Sequence, residues 1–285
     1  MRMLKEKGLL LYRKYKALKW WRNFKKERAG WVEDTIRECG DNKEWEQEIA
    51  YLKKYGADYF PYPWSANKHI IRVGGGGWLD GSDNKPYVIH NGKKLYMELR
   101  AYSQLLLEQN KHSPHRYFTD KFSVRKGDVF VDLGAAEGMI SLDVVETASK
   151  VILVECEPEW QKRLEKTFQP WKDKTVIIPK YASDHDDDKN VSLNALLEKE
   201  NSPIFIKMDV EGMEELILSG AGKILERPDT RVAICTYHKP GDPEKFKNYF
   251  EKLGYNIEFS EGYMAMVNSD EGPRFRKAMM RAWKE

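Results

Sequence analysis

From residue 127 onward the apolar positions come in short unbroken runs separated by longer stretches of helical periodicity. Runs such as Val129-Phe130-Val131, Val151-Ile152-Leu153-Val154 and Ile204-Phe205-Ile206 do not alternate with polar residues. That is the pattern of strands buried on both faces, as in a parallel sheet covered by helices. Strands are predicted near 128–133, 151–155, 175–179, 203–209 and 230–236, with a closing pair near 255–259 and 263–267. Helices are predicted near 139–148, 159–168, 212–220 and 243–253. The expected fold is α/β: a doubly wound, mainly parallel, seven-stranded Rossmann-like sheet with helices on both faces.

The first hundred residues read differently. Residues 1–29 interleave Leu9, Leu10, Leu11, Tyr12, Tyr15, Leu18, Trp20 and Trp21 with eleven Lys/Arg, a basic amphipathic pattern that suits an anionic membrane surface, a partner or the rest of the chain. Residues 31–56 have helical spacing through Trp31, Ile36, Trp45, Ile49 and Leu52. The stretch 59–64 is punctuated by prolines, Gly74–Gly77 is a glycine run, and 87–96 reads as a hairpin around Asn91-Gly92. A helix follows over 98–109. The glycine run lacks the lysine and hydroxyl of a phosphate loop. Two regions are expected: a helical and hairpin extension over 1–100, for acceptor binding or oligomerisation, and a catalytic domain over 101–285.

The candidate chemistry lies at strand ends. After Val129-Phe130-Val131 come Asp132 and then Gly134-Ala135-Ala136-Glu137-Gly138, a glycine turn that lets backbone N–H groups and a helix N-terminus approach a polar ligand. The dinucleotide form of this device is G-x-G-x-x-G. Here the first spacing departs from it, which suits S-adenosylmethionine (SAM), with no pyrophosphate to cradle, better than NAD. The second strand ends in Glu155, placed to accept hydrogen bonds from ribose hydroxyls. Asp209 ends the apolar run Ile204–Met208, and His238 follows the run Arg231–Cys235 onto the same edge. Glu214 is read as a first-turn acid favourable to the helix dipole.

Composition narrows the classes. The 285 residues are 41% hydrophobic and 33% charged, the balance of a globular protein. Lys and Arg number 48 against 45 Asp and Glu, so net charge gives no argument for nucleic-acid binding, and none is expected. Cys39, Cys156 and Cys235 form no C-x-x-C pair, which reads as a reduced, cytoplasmic chain. Asp209, Glu211 and His238 include hard ligands of the kind Mg²⁺ accepts, but no metal is predicted. The acidic run Asp184–Asp188 is read as a solvated loop.

Taken in order, the motifs resemble the FkbM-type family of SAM-dependent methyltransferases. The resemblance runs from about Ser113 to Glu258 through Ser113-Pro114-His115-Arg116-Tyr117, Asp132–Gly138, Glu155-Cys156-Glu157-Pro158-Glu159, Ser192-Leu193-Asn194, Ile206–Glu214, Gly220-Ala221, Tyr237-His238 and Gly254-Tyr255. It departs at Cys156, where the family has a proline, at Asn194, more often Asp, and at Thr236, where many members carry Glu two residues before the histidine. In the place of that Glu, Asp242 would orient the imidazole.

The resemblance implies methyl transfer from SAM to an oxygen, on a sugar hydroxyl of a cell-surface polysaccharide precursor or related glycoside. Cofactor contacts fall to Asp132, Gly134, Ala135, Glu137, Gly138, Glu155, Ala182 and Ser183. His238 assisted by Asp209 is the expected catalytic base, and Tyr117 and Glu211 are expected to touch the acceptor. Two other readings stay open: a nicotinamide-dependent oxidoreductase, and a non-catalytic SAM- or glycan-binding scaffold. The sequence leaves the oligomeric state open.

Overall fold

The computed structural model describes residues 26–57, 78–79, 86–97, 99–266 and 272–284. Most of the basic segment 1–29, the proline-punctuated stretch 59–64 and the run Gly74–Gly77 lie outside the described residues. Contacts divide the chain into two compact units, residues 1–68 with 265–275, and residues 69–264 with 276–285.

In the first unit, helix α1 spans 26–39 and helix α2 spans Glu46–Tyr55. The sequence suggested one helix here. Gly40-Asp41-Asn42 interrupts it, with Asn42 capping a short 3-10 turn through its side-chain oxygen and the Glu44 N–H. Trp31 and Trp45 both pack on Phe275, at ring-centroid distances of 6.3 and 5.3 Å. Arg274 reaches Glu38 at 2.9 Å.

The second unit begins with β1 (Trp78–Leu79), β2 (Pro86–His90) and β3 (Lys93–Leu95), an antiparallel set. The expected hairpin turns at Asn91 and Gly92, both with positive φ (49° and 79°), the conformation a two-residue turn of matching twist requires. Helix α3 (Leu99–Glu108) follows.

The main sheet is built from β4 (Val129–Leu133), α4 (Met139–Val144), β5 (Lys150–Val154), α5 (Pro158–Phe168) and β6 (Thr175–Ile178). A parallel pair, β7 (Tyr181–Ser183) and β8 (Asn190–Ser192), then leads into α6 (Leu193–Leu197), whose N-cap Ser192 accepts from the Ala195 N–H. The chain continues through β9 (Ile204–Met208), α7 (Glu214–Ser219), α8 (Gly222–Leu225), β10 (Thr230–Cys235), α9 (Asp242–Lys252) and β11 (Asn256–Phe259). It closes with β12 (Met264–Ala265), β13 (Phe275–Arg276) and β14 (Met279–Trp283).

The seven-stranded order is β11-β14-β10-β9-β4-β5-β6, with β14 antiparallel to both its neighbours and the rest parallel. The expected doubly wound, mainly parallel sheet is therefore present. One strand was misplaced. The partner of β11 is 279–283, not 263–267, because Met264–Ala265 pairs with Phe275–Arg276 instead.

Each sheet face buries its own cluster. On one face Phe130, Leu153, Phe205 and Ala233 meet Met139 and Leu142 of α4 and Leu164 and Phe168 of α5. On the other, Val131, Ile152, Ile206 and Ile234 meet Ile217, Leu225, Phe246 and Phe250 from the later helices. Both faces being buried accounts for the unbroken apolar runs. Strand succession runs outward from β4 through β5 to β6, then reverses to β9 and β10. The reversal puts a crevice at the carboxyl ends of β4 and β9, the usual ligand position in such sheets. Among the described residues no helix is long and apolar enough to cross a membrane.

Candidate active site

A cleft of about 530 Å³ opens at that switch point, lined by Gly134, Ala136, Glu155, Ala182, Asp209 and Glu211 among others. Backbone geometry creates it. Gly134 has φ +72°, and a Cβ there would lie 2.0 Å from the carbonyl oxygen of Asp209, so the two strand ends can meet only over a glycine. Ala136 also has positive φ (46°), and Gly138 (78°) gives no room for a side chain beneath Leu164 and Phe168.

Glu155 sits at the end of β5 with both carboxylate oxygens engaged. Oε2 accepts from the Ala136 N–H and Oε1 from the Glu157 N–H, each at 2.8 Å. The Gln161 amide donates to the carbonyls of Glu155 and Cys156, fixing this segment to the first turns of α5. A carboxylate held this way keeps lone pairs free on the cleft side and can accept from neutral hydroxyls.

The other predicted cofactor residues divide. Gly134, Glu155 and Ala182 line the cleft, whereas Asp132, Ala135, Glu137, Gly138 and Ser183 are not among its lining residues. Asp132 is buried below the turn, 2.9 Å from Lys207 Nζ, and accepts from Ser141 Oγ at 2.6 Å. Lys207 also donates to the Gly134 carbonyl at 2.7 Å, so the pair supports the turn from beneath. Burial pushes the Glu137 carboxyl up to about 7 despite backbone donors and Lys207. Ser183 turns to Asp184 and His185.

Asp209 is the most heavily surrounded residue of the edge. Tyr117 Oη donates to its Oδ2 at 2.6 Å, so Tyr117 is buried behind the carboxylate rather than open to an acceptor. His115 Nε2 is 3.7 Å from Oδ2, and His238 Nε2 is 3.5 Å from Oδ1. Burial would raise the Asp209 pKa, but Lys207, the two histidines and the Tyr117 hydroxyl outweigh it and hold it at about 2. Burial drives His115 the opposite way, to about 4, leaving a neutral ring.

His238 reaches the edge from the end of β10, and its Nδ1 lies 2.8 Å from Glu214 Oε1. Burial works against its charged form, yet Glu214, Asp209 and Glu211 together hold its pKa above the ordinary histidine value. Glu211 Oε2 stands 3.6 Å from Nε2 on an almost fully exposed side chain.

The imidazole's carboxylate partner is therefore Glu214, which is wholly buried and also accepts from the Val210 N–H. Asp242 instead caps its own loop by accepting from the Lys239 N–H, and Thr236 donates to the Lys277 carbonyl. Glu214 does stand in the first turn of α7, and the contact with His238 adds to the dipole explanation. His115, Lys207 and Glu108 were also missed. Only Lys207, a charge inside an apolar run, carried a signal. The acidic run spends its carboxylates locally: Asp186 on Ser192, Asp187 on Lys189 and Asn190.

Residues 180–257 match the family model described as the Methyltransferase FkbM domain. No curated protein matches the chain. Among solved structures, the chain is similar to the methyltransferase FkbM of Methylobacillus flagellatus, at 17% identity over 63% of this chain and 52% of that one, with a TM-score of 0.48. It thus spans about half the length of that protein. It is also similar to M. jannaschii TYW2 in complex with AdoMet, at 16% identity over 72% and 87% of the two chains, TM-score 0.43. A third likeness is to precorrin-6y C5,15-methyltransferase of Geobacter metallireducens, at 15% identity over 56% and 82%, TM-score 0.40. The family that the motifs resemble and the family whose model the chain matches are the same one, the FkbM methyltransferases.

Proposed function

We propose that this chain transfers a methyl group from SAM to a hydroxyl oxygen, the acceptor being a sugar of a polysaccharide precursor or related glycoside. The observation that carries the reading is Glu155. Its carboxylate is fixed by two backbone N–H groups on the wall of the cleft at the switch point, where ribose hydroxyls would meet it. Gly134 and Ala136 would face the amino-acid end of the cofactor, and Ala182 the adenine. Asp132 and Glu137 would act from beneath the turn.

Asp209 and Glu211 line the same cleft and would receive the acceptor hydroxyl, with His238 Nε2 behind them, 3.5 Å from Asp209 Oδ1. The sulfonium already activates the methyl group, so the protein's task is in-line alignment and charge removal. The O–H electron pair stays with the acceptor oxygen, the new O–CH₃ bond forms as the S–CH₃ bond breaks and leaves its pair on sulfur, and His238, assisted by Asp209, would take the proton. The products are the methyl ether and S-adenosylhomocysteine.

Calorimetry with SAM, S-adenosylhomocysteine and NADH tests the donor. Binding of the first two, weakened at least tenfold by Glu155→Ala, is expected; preference for NADH overturns the reading in favour of an oxidoreductase. Turnover against a panel of nucleotide-sugars and lipid-linked oligosaccharides then tests the acceptor. Binding without turnover on any acceptor would favour a scaffold. His238→Ala should lower turnover while SAM binding survives.

A further inference from the structure

Three side chains at the β9–β10 edge each leave a buried polar atom without a hydrogen-bond partner: Asp209 Oδ1, Glu214 Oε2 and His238 Nε2. One ligand atom from each of these residues lies within 4.8 Å of the others. Glu214 is wholly buried and the His238 side chain is only 8% exposed, so bulk water does not satisfy them. One oxygen on each of two carboxylates thus keeps an open acceptor position, which a cation can fill.

The direction of the imidazole says which cation fits. Glu214 Oε1 lies against Nδ1 at 2.8 Å, the place of a carboxylate that fixes a histidine's tautomer. With the ring proton turned to Glu214, the Nε2 lone pair faces Asp209 Oδ1 at 3.5 Å and Glu211 Oε2 at 3.6 Å. Three electron-pair donors then converge with no proton between them. Two ligands about 2.1 Å from one ion and this far apart subtend roughly 110°, close to tetrahedral coordination. The other cation on this edge, Lys207, is already committed to Asp132 and the Gly134 carbonyl.

We propose that this edge binds one divalent first-row cation, Zn²⁺ or Mn²⁺, through Asp209 Oδ1 and His238 Nε2. Glu214 holds the imidazole from behind, and the exposed Glu211 arm swings in as a third ligand. This departs from the sequence-level expectation of no metal. Cation binding follows from the side chains alone; its role rests on the methyl-transfer reading, in which the ion meets the acceptor oxygen and eases loss of its proton. His238 is then a ligand rather than the base, and that proton would pass to solvent at the open rim beside Glu211.

The test uses the full chain stripped with a chelator, titrated with Mn²⁺ by electron paramagnetic resonance and with Zn²⁺ by calorimetry. One equivalent of either metal should bind. His238→Ala and Asp209→Asn should weaken it at least tenfold, and Glu211→Gln, on an exposed side chain that folding does not need, several-fold. Asp187→Asn, in the acidic loop, should leave it unchanged. Absence of binding, or binding equal in His238→Ala and Glu211→Gln, overturns the site. S-adenosylhomocysteine titrated into the same stripped protein separates the two proposals: its binding without metal binding sinks only the cation site, and metal binding without it sinks only the methyl-transfer reading.

Discussion

Lys207 is a buried charge paired with Asp132 beneath the glycine turn, and Lys207→Met measures what its removal costs. Its register partner on the neighbouring strand is Asp132, and both side chains are nearly inaccessible, 6% and 1% exposed. The ammonium lies 2.9 Å from Asp132 Oδ1, donates to the Gly134 carbonyl, and stands 5.5 Å from the centroid of the Tyr117 ring. Burial alone would lower its pKa, but Asp132 and Asp209 reverse that and raise it, so it stays charged. Methionine keeps the length of the side chain and removes the charge. Asp132 is then left with only the Ser141 hydroxyl, and Asp209 loses its nearest fixed cation. Breaking a buried pair from one side costs about 3–5 kcal/mol, whereas replacing both partners costs much less.

Urea unfolding followed by circular dichroism should therefore show Lys207→Met losing about 3–5 kcal/mol at unchanged m-value. Asp132→Asn should lose about 1–3 kcal/mol, because the amide oxygen can still accept from Ser141. The double variant should fall short of the sum by about 2 kcal/mol, the coupling expected of contacting charges. A loss below about 1 kcal/mol for Lys207→Met, or strict additivity, would refute the pair as the support of the glycine turn.

Two further outcomes follow from the same geometry. Gly134→Ala forces a Cβ against the Asp209 carbonyl at positive φ; the left-handed backbone alone costs about 1–2 kcal/mol, and S-adenosylhomocysteine affinity measured by calorimetry should fall at least tenfold. Glu108 has its carboxyl raised from 4.5 to about 8, first by burial and then by the charges of Glu137 and Asp209, so the folded state holds a proton that the unfolded state releases. Its contribution is fully present below about pH 4.5 and is lost as pH rises toward 8. At about 1.4 kcal/mol per unit the ceiling is about 5 kcal/mol. Glu108→Gln, unfolded in chelator, should flatten the stability decline between pH 5 and 8, and an unchanged slope would count against the burial of that carboxyl.

The sheet was legible because strands covered on both faces leave nothing polar to interrupt them. The exception shows the limit of that signal. Strand β14 contains Arg281, whose guanidinium binds Glu258 and the carbonyls of Arg116 and Tyr117. A charge in mid-strand hid the run at 279–283, and Met264–Ala265 was read in its place. Gly134, Glu155 and Asp209 were legible as punctuation at strand ends. Glu214 was not, since a helix N-terminus accounts for an acid without any partner. Lys207 showed only as a charge inside an apolar run, and His115 becomes meaningful only when a distant segment meets Asp209, which no spacing along the chain encodes.

The two ends of the cleft use one residue type for opposite purposes. Glu155 has each oxygen answered by a backbone donor, so its charge is already compensated and what it still offers is acceptor capacity for neutral hydroxyls. Asp209 and Glu214 each keep one oxygen with no donor, beside the His238 imidazole. At the glycine turn the Gly134 and Ala135 amides go to the Val154 carbonyl, which leaves the Ala136 amide, at positive φ, to reach Glu155. At Asp209 the amide is instead spent on the Leu133 carbonyl, and the carboxylate's donor is a side chain, the Tyr117 hydroxyl. Glu155 is thus compensated by the backbone and Asp209 by side chains, Lys207, His238 and the Tyr117 hydroxyl, and a shell of side chains is the one that can rearrange around a ligand.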